Sequence, residues 1–287
     1  MSYYISKIFS HIICLLPYSV NRRIGNFLGA ATWLLVPEKR KKMSVNNIIQ
    51  CLHVAPSEAS QIAKKSWTRF GRMIIEVLLY PKMKENINQY VTIQGKEHLE
   101  KALSYGKGVV LATSHSGNWE IMGAALALAG FPLNVVAQKQ SNQNMDRFIN
   151  EYREIMGIHV SYKTSMRAVI RLLSKGTVIG MLMDQDAGKD GVILDFFGRK
   201  TSCAKGAAFL AHLNNAPIIP IFITENDQGK HTISLEKPLF IEQTDDKQHD
   251  IEKMTEQLTK FIENHIRQYP EEWFWLHDRW KSVEDRS

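Results

Sequence analysis

The feature that most constrains the fold is the alternation, from residue 91 onward, of short apolar runs with segments of helical periodicity. Buried strands of a parallel sheet are apolar runs of a few residues, and helices connect them. The predicted strands are Gly108–Thr113, Leu133–Ala137, Thr177–Met183, Pro217–Thr224 and Thr232–Leu235. The predicted helices are Asn118–Ala129, Asn142–Met156, Met166–Ser174, Ala204–Asn214 and Ile251–Tyr269. This pattern predicts an α/β fold with a mostly parallel sheet flanked by helices.

The N-terminal region has a different character. Two apolar stretches of 14 residues, Ile5–Tyr18 and Ile24–Pro37, precede a basic run at 39–42, and residues 44–82 predict further helices. Each stretch is shorter than the roughly 20 residues that a spanning helix needs. Two buried helices, an interfacial hairpin with Trp33 at head-group depth, and a single span all remain open. We predict the interfacial arrangement, with a membrane-associating segment over residues 1–42 and a catalytic domain over 43–287.

The basic charge is confined to the N-terminal third. Residues 1–90 contain thirteen Lys and Arg against four Asp and Glu, whereas residues 91–287 contain twenty-three against twenty-five. A basic segment beside apolar stretches predicts contact with an anionic membrane surface on the cytoplasmic side. An acidic protein partner would fit the same charge. No nucleic-acid partner is predicted, because the basic residues do not alternate with aromatic ones.

In sheets of this kind, functional loops follow the carboxyl ends of strands. His115 leaves the strand Gly108–Thr113, and Glu120 lies five residues later, in the first turn of the next helix. Across such a junction, Glu120 can accept a proton from one ring nitrogen and leave the other free as a general base. Backbone N–H groups around 117–119 could then stabilise an oxyanion. A capping loop with an incidental His fits the same spacing. A metal site is not predicted, because no third ligand lies at a recognisable spacing from His115 and Glu120.

Several segments carry a family resemblance. The segment from Gly108 through His115 to Glu120, with Gly-Asn-Trp before the Glu, resembles the His-x4-Asp/Glu motif of the lysophospholipid acyltransferase superfamily. It is most similar to the branch of lipid A late acyltransferases. Asp184-Gln-Asp, Phe196-Phe-Gly and the C-terminal Trp-x-Trp-x-His-x-Arg pattern from Trp273 also resemble that branch.

The resemblance implies a function and a set of residues. It implies transfer of a fatty acyl group from an acyl carrier protein thioester to a membrane lipid acceptor at the cell inner membrane, with no cofactor and no metal. It implies that Arg153, on the helix Asn142–Met156, has a catalytic role with a phosphate or the thioester. The residues expected to contact substrate are Asn118, Trp119, Asp184, Gln185, Asp186, Phe196 and Phe197.

Alternatives remain for these segments. The carboxylates of the 184–186 loop could hold a head group, orient the base or sit in a solvated turn, and the two Phe side chains could line an acyl tunnel or fill the core. Arg153 could simply pair with Glu151 or Glu154. The Trp-rich C-terminus is predicted to be an amphipathic helix, with Trp273 and Trp275 packed in the core. Other lipid acceptors, or a non-catalytic lipid-binding protein, also remain open.

Overall fold

The computed structural model describes residues 2–284. Its sheet strands are β1 (Val91–Gln94), β2 (Val109–Thr113), β3 (Leu133–Ala137), β4 (His159–Tyr162), β5 (Val178–Leu182), β6 (Val192–Phe196), β7 (Arg199–Cys203), β8 (Ile218–Glu225) and β9 (His231–Leu235). The helices before β2 are α1 (Ser2–Leu15), α2 (Tyr18–Trp33), α3 (Glu38–Leu52), α4 (Pro56–Leu78), α5 (Tyr80–Met83) and α6 (Lys96–Ser104). The later helices are α7 (Trp119–Leu128), α8 (Gln143–Ile155), α9 (Met166–Ser174), α10 (Gly206–Asn214), α11 (Lys247–Gln268) and α12 (Lys281–Glu284).

Seven strands form the main sheet, in the order β1-β9-β8-β2-β5-β3-β4. Every neighbouring pair is parallel except β8 and β9, which are antiparallel. The predicted α/β fold with a mostly parallel sheet is therefore confirmed. The central strands β2 and β5 lie side by side, so the loops that follow them meet at one edge of the sheet.

Helices cover both faces of the sheet. Along β2, Val109 and Leu111 face one apolar core, and Val110 and Ala112 face the other. This is the two-residue period of a strand that is buried on both sides, and all four side chains are buried. One core takes the largest share of its helical side chains from α7, with others from α1, α4, α5, α6 and α8. The other takes most from α10 and α11, with others from α3, α4 and α9.

The N-terminal helices pack tightly on the rest of the molecule. Helices α2 and α4 cross so closely that a Cβ added at Gly71 would lie 2.7 Å from the Cα of Gly29. Tyr3 and Ile13 of α1 belong to one of the two cores. The proposed boundary at residue 42 falls inside α3, and the last three residues of the predicted catalytic domain, 285–287, lie outside the described residues. Among the helices of residues 2–284, none combines the length and hydropathy needed to cross a bilayer.

Much of the N-terminal basic charge is used inside the protein. Arg22, Arg69 and Arg72 all bind the carboxylate of Glu225, at the end of β8. Further pairs join Lys7 to Glu151, Lys65 to Glu271 and Arg69 to Glu272. These arginines and lysines therefore join the N-terminal helices to acidic residues in the rest of the protein. The charge count alone could not distinguish such internal ion pairs from binding to lipid. Trp33 is half-buried with the Lys41 ammonium over its ring.

Three local predictions were wrong or incomplete. The segment from Asp184 to Lys200, in which no strand was predicted, contains β6 and the start of β7, which form an antiparallel hairpin. The Trp-rich stretch 270–280 is not a helix but a chain of turns with a single isolated bridge. Strands β1 and β4 and helices α6 and α12 were also not predicted from the sequence; all but α6 are only four residues long.

Candidate active site

The site lies where β2 and β5 end together. Thr113 is in register with Leu182 in this parallel pair, and the Met183 N–H donates to the Thr113 carbonyl. The residues two positions after Thr113 and Leu182 therefore also lie opposite each other. These two residues are His115 and Asp184, which are 69 positions apart in the sequence.

Asp184 holds His115 through two hydrogen bonds. The Nδ1 of His115 lies 2.8 Å from Oδ1 of Asp184, and the His115 backbone N–H donates to Oδ2 at 3.0 Å. Burial alone would raise the pKa of Asp184, but the charge and hydrogen bonds of His115 and the indole N–H of Trp273 outweigh it and lower this pKa to about 2. Asp184 is therefore an ionised carboxylate, which accepts hydrogen bonds but cannot donate them.

This contact fixes the tautomer of the imidazole. An ionised acceptor on Nδ1 requires the proton on Nδ1, which leaves the lone pair on Nε2. Within residues 2–284, Nε2 has no hydrogen-bond partner, and it is not one of the buried unpaired polar atoms. The side chain keeps 19% of its surface accessible. The ring is thus arranged to take a proton from a molecule that arrives at Nε2.

The C-terminal segment closes over the same loop. Gly117 N–H donates to the carbonyl of Glu272, and Phe274 N–H donates to the carbonyl of His115. Between them, the Trp273 indole N–H donates to Oδ2 of Asp184 at 2.6 Å. Trp273 was predicted to pack in the core, where it is indeed buried. The structure adds a hydrogen bond to the carboxylate that orients His115.

The left-handed turn at Gly117 allows this close packing. Its φ is +60°, and a Cβ there would lie 2.4 Å from the carbonyl oxygen of Ile223 on β8. Only glycine fits such a position without strain. The Gly117 N–H is occupied by the Glu272 carbonyl, so it is not a free oxyanion donor. The backbone donors left at the start of α7 are those of Trp119 and Glu120, because the Ile121 N–H is bonded to the Asn118 side chain.

Glu120 has a different partner from the one predicted. Its two carboxylate oxygens accept hydrogen bonds from Nε and Nη2 of Arg153, at 2.9 and 2.5 Å. The expected hydrogen bond from His115 is absent in the described residues, and Asp184 takes that place. Arg153 in turn binds Glu120 rather than Glu151 or Glu154. Glu151 pairs with Lys7 instead. Burial works against the charged form of Arg153, but Glu120 outweighs it and raises the pKa of the guanidinium.

The two residues before Glu120 have separate surroundings. Asn118 is buried, with its amide oxygen accepting from the Ile121 N–H and its amide nitrogen donating to Glu76. It therefore caps α7. Both polar groups of its side chain are thus already bonded inside the protein. Trp119 is half-buried, with its ring edge-on to His115 at 4.9 Å between centroids.

The rest of the Asp-Gln-Asp loop lies beside this centre. Gln185 is half-buried and makes no hydrogen bond in the described part of the chain. Asp186 accepts from the backbone and hydroxyl of Ser282, and its N–H donates to Nε2 of His277. Asp186 therefore ties the C-terminal segment to the loop, and Gln185 is the member of the loop that stays available to a ligand.

Phe196 and Phe197 lie in the interior. Phe196 contacts the rings of Trp273 and Trp280, and Phe197 contacts Trp275. Both Phe side chains are buried in the core below the hairpin. Core packing of Trp273 and Trp275 was predicted from the sequence and is confirmed.

A row of half-buried aromatic rings extends away from His115. Trp119 stacks on Phe70 at 6.4 Å, and Phe70 contacts Phe274 and Trp67 at 5.3 and 5.6 Å. Trp67 then lines a groove of about 340 Å³ together with Thr32, Leu35, Val36, Pro37, Arg40 and Leu276. A row of contacting rings therefore runs from the imidazole to the groove beside the end of α2.

Comparisons with known proteins agree with the motifs. The profile of the family described as bacterial lipid A biosynthesis acyltransferase matches residues 1–282. The chain is 26% identical to the phosphatidylinositol mannoside acyltransferase of Mycolicibacterium smegmatis, over 78% of this chain and 73% of that protein. It is 22% identical to the lipid A biosynthesis palmitoleoyltransferase of Escherichia coli K12, over 93% of this chain and 87% of that one.

The chain also has a partial likeness to solved structures. One of them is the 1-acyl-sn-glycerophosphate acyltransferase PlsC of Thermotoga maritima, with a TM-score of 0.43 and 12% identity, over 88% of this chain and 99% of that chain. The match of the family profile over nearly the whole chain decides the assignment. The chain belongs to the bacterial lipid A biosynthesis acyltransferase family, and it is an acyltransferase with a lipid acceptor.

Proposed function

We propose that the protein transfers a fatty acyl group from an acyl thioester to a hydroxyl of a lipid A precursor, with His115 as the general base. The observation that supports this most is the hydrogen bond from His115 Nδ1–H to the ionised Asp184, which leaves Nε2 as the acceptor. An alcohol is a weak nucleophile until a base takes its proton. Because the acceptor hydroxyl attacks directly, the mechanism needs no Ser or Cys nucleophile.

The proposed reaction runs in two steps. Nε2 takes the hydroxyl proton while the hydroxyl oxygen bonds to the thioester carbon, which forms a tetrahedral oxyanion. The N–H groups at the start of α7 are the donors we assign to that oxyanion. The C–S bond then breaks, and the imidazolium returns its proton to the departing thiolate. Asp184 stabilises the imidazolium that exists between these two proton transfers.

We assign the acyl chain to the aromatic row that begins at Trp119. The faces of these rings are apolar, and the indole N–H of Trp67 is already bonded to the Thr32 hydroxyl. This route ends in the groove at Leu35 and Leu276, beside exposed apolar side chains. From the sequence, Phe196 and Phe197 could line an acyl tunnel or fill the core, and we propose the aromatic row in place of a tunnel there. We place the acceptor head group near Gln185, because the guanidinium fork of Arg153 is already bonded to Glu120.

The donor and the acceptor need a direct test. Purified enzyme would be given palmitoyl-acyl carrier protein or palmitoyl-coenzyme A, with a tetraacylated lipid A precursor or a phosphatidylinositol mannoside as acceptor. We expect mass spectrometry to find one added acyl chain on the lipid A precursor, with the carrier-protein donor. Addition to the mannoside alone would favour the second candidate, which rests on the 26% identity to a mannoside acyltransferase. No acyl product with any pair would contradict the assignment of both substrates.

We propose that the protein works at the cytoplasmic face of the inner membrane through its N-terminal helices. One face of α1 leaves a row of apolar side chains exposed at helical spacing, namely Tyr4, Ile5, Ile8, Phe9, Ile12 and Leu15. Phe27 of α2 and the following Leu34 and Leu35 are also exposed. A helix with such a face binds at the depth of the head groups. The basic residues that form no ion pair within residues 2–284, such as Arg23, Lys39 and Lys42, would meet anionic lipid.

This membrane contact predicts a change in lipid binding. Replacing Leu34 and Leu35 by Ser should weaken binding to vesicles of phosphatidylethanolamine and phosphatidylglycerol by at least about tenfold, since burying each leucine contributes roughly 1.5–3 kcal/mol. Both side chains are more than three-quarters exposed, at 76% and 81%, so the thermal stability should not change. Co-sedimentation measures the binding, and L213S in α10 is the matched control. Equal binding by the double variant and wild type would exclude this surface.

The Trp273 hydrogen bond predicts a second effect. W273F keeps most of the ring but removes the N–H that donates to Asp184. A hydrogen bond to a charged group is worth about 1.5–3 kcal/mol, so kcat should fall about tenfold or more. W275F is the control, because that indole donates to the Pro270 carbonyl and not to Asp184. Steady-state kinetics of the two variants, compared at matched thermal stability, measures the difference in kcat. Equal losses of kcat in W273F and W275F would mean that Trp273 contributes only packing.

A further inference from the structure

Helix α4 contains one carboxylate in an otherwise apolar stretch. Glu76 lies in the run Met73–Leu79, and it is buried along with Ile75 and Leu78 beside it. An ionised carboxylate is expensive to bury, and a core that needed only packing would use an apolar residue of similar volume. The presence of Glu76 at this position therefore calls for a role that an apolar side chain could not perform.

Three donors from distant parts of the chain converge on Glu76. The Tyr18 hydroxyl donates to Oε1 at 2.6 Å, and the Asn118 amide donates to Oε2 at 2.6 Å. Nε2 of His231 lies 3.0 Å from Oε1. Burial alone would raise the pKa of Glu76, but His231 and the other donors outweigh it and lower the pKa to about 2. Burial likewise works against a charged His231, but Glu76 outweighs it and raises the pKa of that ring.

Because Glu76 only accepts hydrogen bonds, it fixes the orientation of the Asn118 amide. The NH₂ group must face Glu76, so the amide oxygen faces the Ile121 N–H and caps α7 at 2.9 Å. An amide flipped by half a turn would lose both bonds. The first turn of α7 carries Trp119, which contacts the His115 ring, and Glu120, which holds Arg153. The orientation of one amide thus sets where these two side chains stand.

We propose that Glu76 is a positioning residue for catalysis, which acts through Asn118 to hold the first turn of α7 against His115. The proposal rests on the function assigned above to His115. Tyr18 on α2 and His231 on β9 complete the arrangement, so the same carboxylate joins the N-terminal helices and the sheet to the catalytic loop. Its effect reaches the reaction only through the placement of Trp119, Glu120 and the N–H groups that begin α7.

A reversal of the hydrogen-bond polarity tests this. In E76Q, an NH₂ group replaces one of the two acceptor oxygens. It must face either Asn118, whose amide could satisfy it only by giving up the cap, or Tyr18 and His231, which now meet an oxygen there. In N118D, two carboxylates would face each other. In the double variant E76Q/N118D, the glutamine amide on α4 can donate to the new aspartate, and the second oxygen of that aspartate still accepts the Ile121 N–H. The cap is restored with the polarity reversed, and the cluster retains one negative charge.

The expected kinetics separate positioning from mere stability. Each single variant should lower kcat about 10²-fold, as displacements of about 1 Å do, with KM for the acyl donor little changed. The double variant should regain most of that loss. E58Q, at an exposed position of the same helix, is the control and should behave as wild type. Should E76Q not fold, the comparison of N118D with the double variant measures the same rescue.

Two outcomes would overturn the proposal. One is a double variant whose loss equals the product of the single losses, which means that the two side chains act independently. The other is a rescue confined to the melting temperature, with kcat still low. H115A assayed in parallel keeps the two claims apart, because an active H115A protein contradicts the function of His115 whatever Glu76 does. An inactive H115A protein without rescue by the double variant contradicts only the role of Glu76.

Discussion

Replacing His115 by alanine should lower kcat about 10²- to 10⁴-fold, the range that a general base usually contributes. The protein should remain folded, because the ring is partly accessible and its main structural contacts are made by the backbone. H159A provides the control, since His159 is exposed at the start of β4. Single-turnover assays with a saturating acyl donor isolate the chemical step. An H115A protein with wild-type turnover would remove the imidazole from the mechanism.

Replacing Asp184 by asparagine should have an effect of similar size, about 10²- to 10⁴-fold in kcat. The asparagine of D184N can present an NH₂ group to Nδ1, which favours the wrong tautomer and leaves no base at Nε2; the corresponding change in serine proteases costs about 10⁴-fold. The imidazolium would also lose its counter-charge. The loss should appear in kcat and not in KM for the acceptor, because Asp184 is buried behind the ring.

E120Q is the matched comparison for D184N. It removes the ionic partner of Arg153 but none of the hydrogen bonds of His115. We therefore expect it to lower thermal stability, because removal of one member of a largely buried pair strands the other charge. We also expect a smaller loss in kcat than in D184N. The opposite ranking, with E120Q inactive and D184N close to wild type, would restore the carboxylate predicted from the His-x4-Glu spacing.

The strands of the sheet could be predicted, and His115 could be singled out as a candidate base, because both signals are local in the sequence. Apolar runs in the sequence predicted the bounds of β2, β3, β5, β8 and β9 to within about two residues. His115 was found because it follows the strongest apolar run. The hairpin of β6 and β7 was missed because its strands alternate only weakly, and the Trp-rich segment was given a helical period that its turns do not have.

The partner of His115 could not be predicted with the same tools. Asp184 meets His115 only because β5 lies next to β2 with Thr113 opposite Leu182. Strand order is set by packing over the whole sheet, and a spacing of five residues drew attention to the nearer carboxylate, Glu120, instead. Glu76 did leave a signal in the sequence, as the lone acid in the run Met73–Leu79. What it binds, however, comes from three other elements.

The hydrogen bond between His115 and Asp184 can be measured without any substrate. In protein labelled with ¹⁵N-histidine, the Nδ1–H of His115 should give a proton resonance shifted downfield by the buried carboxylate, and loss of that signal in H115Q assigns it. We expect the signal to persist in E120Q and to disappear in D184N. A signal that disappears in E120Q and persists in D184N would show that Glu120, not Asp184, orients the catalytic imidazole.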